Sequence, residues 1–71
     1  MNVTIDVTQC IAEIVATSFD ADRPALRRYS CGVILHSPER LPTRVCTGYG
    51  EDETEAQRTA IGGALRAWGW D

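Results

Sequence analysis

The sequence predicts an α+β domain. Its expected order is a helix, an antiparallel hairpin with room for a third strand, and a C-terminal helix packed on one sheet face, with β-β-β-α as the alternative. Three observations carry this. Apolar residues recur at helical spacing near the N-terminus, alternate with period two in the middle, and return to helical spacing after a Gly-x-Gly turn. The 71 residues make a single domain, 1–71, with one small core.

In the first segment Val7, Cys10, Ile11, Ile14, Val15 and Phe19 fall on one helical stripe, and Asp6 or Thr8 stands where a cap would. A helix is expected there. A strand is the competing reading, because Val3, Ile5 and Val7 alternate and the segment is rich in Val, Ile and Thr. Asp20 to Pro24 reads as a linker, since Asp and Pro disfavour continuation of either element.

From Arg28 to His36, Tyr29, Cys31, Val33 and Leu35 alternate with Arg28, Ser30, Gly32, Ile34 and His36, the pattern of a strand with one buried face. Ser37 to Pro42 supplies a turn, and Thr43 to Tyr49 is the expected return strand. Setting Leu35 near Val45 places Val45, Thr47 and Tyr49 inward, and leaves Arg28, Ser30, His36 and Arg44 on the open face. Asp52-x-x-Glu55 has the form of a capping box, and acidic side chains suit the positive end of a helix dipole. Ala56, Ala60, Ile61, Ala64, Leu65 and Trp68 form the apolar stripe of the helix that follows. Gly62-Gly63 in its middle implies close approach by a neighbouring element or a partner.

Charge is unevenly placed. Residues 1–22 hold Asp6, Glu13, Asp20 and Asp22 with no base, a balance of minus 4. Residues 23–50 set Arg23, Arg27, Arg28, Arg40 and Arg44 against Glu39, a balance of plus 4. Residues 51–71 set Arg58 and Arg66 against Glu51, Asp52, Glu53, Glu55 and Asp71, a balance of minus 3. Two surfaces of opposite sign are therefore expected. No apolar run reaches the roughly 20 residues that span a bilayer, and Met1 to Thr4 lacks the basic and apolar parts of a leader, so no membrane partner and a cytoplasmic address are expected.

Gly48 to Leu65, a strand ending in Gly-Tyr-Gly and then a small-residue helix, resembles the last quarter of a double-stranded-RNA-binding domain. That family opens the helix with S-K-K-x-A-K, and here Asp52-Glu53-Thr54-Glu55-Ala56-Gln57 stands in register with it. The resemblance implies a similar scaffold without its phosphate-gripping cations. Carboxylates at that position replace counterion release by repulsion, so direct nucleic-acid binding is not expected. Strands followed by a Gly-rich turn and an Ala-rich helix ending in Trp are also similar in size and pattern to small phage-encoded proteins, including anti-CRISPR inhibitors.

A catalytic reading finds little to use. His36 is the sole histidine, and the expected register sends Cys31 and Cys46 to opposite faces, so neither a Cys-His dyad nor a shared metal site is expected, and no cofactor. The expected function is that of a non-enzymatic, phage-type inhibitor of a protein or nucleoprotein target. Its acidic surface, Glu51, Asp52, Glu53 and Glu55, would imitate nucleic-acid phosphates. Two alternatives use other residues: a nucleic-acid-binding module of the double-stranded-RNA-binding type through Arg28, Arg40 and Arg44, and a small accessory protein that forms a homodimer through Gly62-Gly63 or Trp70.

Overall fold

A computed structural model describes residues 3–7 and 10–69. The elements run β1 (Val3–Val7), β2 (Cys10–Phe19), a 3₁₀ turn at Ala25–Arg27, β3 (Tyr29–His36), β4 (Cys46–Gly50) and α1 (Glu53–Ala67). The four strands form one antiparallel meander in chain order, and α1 lies over β3 and β4 on one face. The α+β class and the C-terminal helix on one sheet face are as the sequence led us to expect.

The first segment takes the strand reading, and the helix expected there does not form. Val3 pairs with Ile14, Ile5 with Ala12 and Val7 with Cys10. Cys10, Ala12 and Ile14 are buried in alternation, which is the period of a strand. Cys10 and Ile14 sit four apart and satisfy both periods, so the helical stripe was degenerate. What separates the two is the buried Ala12 between them and the β-branched content of Val3 to Thr17. Thr8, one of the expected caps, lies outside the described residues.

β2 carries a bulge. Ile14 pairs with Val33 but Ala16 with Gly32, leaving Val15 as the extra residue. Beyond it Thr17 faces Cys31, so the inward parity of β2 changes from even to odd. Phe19 then stacks at a tilt on Tyr29, with ring centroids 4.8 Å apart. The linker forms a turn in which the Asp20 carboxylate accepts from the Asp22 amide at 2.9 Å. Ala25–Arg27 is a 3₁₀ turn and contributes no strand.

The second correction concerns β4. Val33 pairs with Cys46, Cys31 with Gly48 and Tyr29 with Gly50, one residue away from the expected alignment. Leu35 and Thr43 exchange hydrogen bonds, the Thr43 amide to the Leu35 carbonyl at 3.2 Å and the Leu35 amide to Thr43 Oγ1 at 3.0 Å. Arg44 and Val45 therefore stand opposite the single Ile34. The inward set is Cys46, Gly48 and Gly50, while Thr47 and Tyr49 face out. The helix decides this. A Cβ at Gly48 would lie 2.2 Å from the Ala60 nitrogen, and one at Gly50 would lie 2.6 Å from the Ala56 nitrogen. Ala56, Ala60 and Ala64, one per helical turn, are fully buried against that glycine track. Close backbone approach sets the register here, and side-chain size does not.

Trp68 ends the helix and packs against the core, as its place on the apolar stripe suggested. Its indole Nε1 donates to the Leu41 carbonyl at 3.2 Å, and Arg40 donates to the Trp68 carbonyl at 2.6 Å with its guanidinium over the ring. This clasp ties the β3–β4 connection to the C-terminal end of α1. The buried core is thin. Its fully buried larger side chains are Leu35, Val33 and Cys31, and a Leu or Val contributes only about 1.5–3 kcal/mol.

Candidate functional site

Burying one sheet face under a single helix leaves the other face uncovered. Cross-strand pairing places Thr4 and Asp6 of β1, Ile11, Glu13 and Ala16 of β2, Ile34 and His36 of β3, and Thr47 and Tyr49 of β4 on that open face. Its centre is apolar. A Cβ at Gly32 would meet Val45 Cγ1 at 3.1 Å, Ala16 Cβ at 3.6 Å and Val15 Cγ2 at 3.7 Å, so these side chains converge over the glycine. Around them Ile11 is 45% exposed, Val45 54% and Tyr49 41%. The face therefore carries an exposed apolar strip.

Two corners of this face are charged, with opposite signs. At the Asp6–Ile11 end of β1 and β2, Asp6 pairs with Ile11 and lies diagonally across from Glu13, whose carboxylate meets His36 Nε2 at 2.8 Å. At the diagonally opposite end, the guanidinium groups of Arg23 and Arg27 sit 5.4 and 5.8 Å from the centre of the Tyr49 ring. The 3₁₀ turn delivers them there. Sequence parity put Tyr49 inside, so this cluster was missed; the signal that would have found it is Gly-x-Gly facing a helix with alanine at every fourth position.

The acidic residues singled out from the sequence gather at the opening of α1, on the helix side. Asp52 is the cap, its carboxylate accepting from the Glu55 amide at 2.8 Å. Glu55 is half-buried and its Cβ lies close to Gly50. Glu51 and Glu53 are exposed beside them. Of the four, two are engaged by the fold and two face solvent.

The arginines named in the alternative readings do not assemble on one surface. Arg28 closes the linker by donating to the Arg23 carbonyl at 3.3 Å, and Arg40 is held in the Trp68 clasp. Arg44 is exposed on the helix side of the β4 approach, lining a groove with Pro42 and Trp68. Trp70 lies outside the described residues. All three cysteines are free. Cys31 and Cys46 share the inward face, contrary to the expected register. Burial pushes the thiols of Cys10 and Cys31 up, with Glu53 adding a smaller push at Cys31. Among the described residues no group of three His, Cys, Asp or Glu side chains is placed to hold a metal ion, and no helix is long and apolar enough to cross a membrane.

These features define a two-layer α+β protein with one sheet face open and an acidic helix start. No protein-family model, curated protein or solved structure matches this chain.

Proposed function

We propose that this chain is a non-enzymatic binding protein that occupies a protein or nucleoprotein target, in the manner of the small phage-type inhibitors it resembles in size and pattern. The observation that supports this most directly is the opening of α1. Glu51, in the turn, and Glu53, the first residue of α1, are exposed on either side of the capping Asp52. They add negative charge where the dipole and free amides of a helix start would otherwise attract an anion. A basic groove built for phosphates would accept such a surface, and free nucleic acid would be repelled by it. Competition tests this: the protein is titrated into complexes of purified basic nucleic-acid-binding proteins with labelled duplex. Displacement that is lost in the Glu51→Arg, Glu53→Arg double variant supports phosphate mimicry. Displacement indifferent to both substitutions, or none against any such protein, removes it.

A second reading has one specific observation in its favour. Tyr49, flanked by Arg23 and Arg27 on the open face, offers a ring and two cations, the elements that single-stranded nucleic acids stack on and pair with. That reading requires saturable binding of nucleic acid that weakens steeply with salt.

A further inference from the structure

We infer that the open sheet face is the interface of a symmetric homodimer, its occupant a second copy of this chain. The inference is independent of the function proposed for the opening of α1, which lies on the other side of the molecule.

Charge placement points to a second copy. Asp6 and Glu13 occupy one corner of the face, and Arg23 and Arg27 the diagonally opposite one. A two-fold axis lying in the plane of the face, along the other diagonal, exchanges these corners. Each acidic corner of one copy then meets the basic corner of its partner, and both contacts form at once. Val15, Ala16, Ile34 and Val45 of the two copies meet around the axis near Gly32. Val45, Ala16 and Val15 fill the space above that glycine and make the middle of the face continuous and apolar. The strands of the two sheets cross steeply in this arrangement, which is the orthogonal class of sheet packing.

The area is sufficient for a weak dimer. Strands of 5, 10, 8 and 5 residues spaced about 4.8 Å apart cover roughly 450 Å² per copy, or roughly 900 Å² in all, the range of weak association. A thin one-sided core gives such an interface work to do, since domains near this size commonly gain stability from association. Helix α1 stays on the outer surface of both copies, so Gly62 and Gly63 take no part.

Sedimentation velocity on the full chain at about 5 and about 500 µM reads the outcome, a range that brackets the affinity expected of so small an interface. The wild type should move from monomer to dimer between the two. Val45→Glu, which sets two carboxylates against each other near the axis, should remain monomeric at both, and Ile34→Glu serves as a second probe, with circular dichroism verifying that each variant is folded. Asp6→Arg and Arg27→Asp should each weaken the dimer about tenfold, and the double variant Asp6→Arg, Arg27→Asp should recover it, because the exchanged corners still complement one another. A wild type that is monomeric at both concentrations overturns the inference. So does a dimer indifferent to Val45→Glu and Ile34→Glu, or a double variant no stronger than the singles.

Discussion

At the scale of single residues, Gly48 is the position on which the fold turns. Its missing side chain allows the Ala60 backbone to sit where a Cβ would clash at 2.2 Å, and backbone cannot swing aside as a flexible side chain does. Gly48→Ala should therefore destabilise the protein by about 3 kcal/mol or more, read from urea unfolding, because α1 must lift off the sheet to accommodate it. The cysteines provide a second check. Burial keeps the Cys10 and Cys31 thiols protonated, so iodoacetamide at neutral pH should label half-buried Cys46 first in the native protein. The sign of the accompanying pH effect follows from the same shift. Below the ordinary thiol value of 9.0 both states are protonated; above it the unfolded chain loses its protons first, so stability should fall as pH rises past that value. Unfolding midpoints that are flat from neutral pH to well above 9.0 would contradict this.

At the scale of elements, α1 combines features that help it and features that do not. Asp52→Ala removes the cap and should cost about 1 kcal/mol. Gly62 and Gly63 behave in the opposite sense. A Cβ at either would meet only the guanidinium end of Arg66, at 3.7 and 3.9 Å, so no neighbouring element requires them to be small. Each Gly→Ala change should stabilise the protein by about 1 kcal/mol, visible as a higher thermal midpoint, and should leave association unchanged. The helix was legible in the sequence because capping, alanine spacing and the Gly-x-Gly turn all agree. β3 was legible because its larger inward side chains, Cys31, Val33 and Leu35, alternate in the sequence and are buried. The segment from Val7 to Phe19 was not, since Cys10 and Ile14 fit both periods and the bulge at Val15 erases the alternation beyond them. β4 was misread for another reason. Its larger side chains, Val45 and Tyr49, face out, and the inward positions are given to glycines that carry no hydropathic signal.

At the scale of the whole molecule, one helix on a four-stranded sheet gives the two sides different surfaces. The helix side presents the carboxylates of Glu51 and Glu53; the other side presents an apolar strip between an acidic and a basic corner. Misplacing Tyr49 concealed the second surface from sequence reasoning, whereas the acidic opening of α1 was read directly from Glu51 to Glu55. If this protein recognises other proteins, as we propose, free nucleic acid should not bind it. The most direct test is fluorescence anisotropy at about 50 mM salt, where phosphate contacts are strongest, with labelled duplex RNA, duplex DNA and a single strand titrated separately. The account predicts no saturable change with any of the three up to about 100 µM protein, a range that includes typical non-specific affinities. Saturable binding in the low micromolar range or tighter, falling steeply as salt is raised, would contradict it and move the site to Tyr49, Arg23 and Arg27.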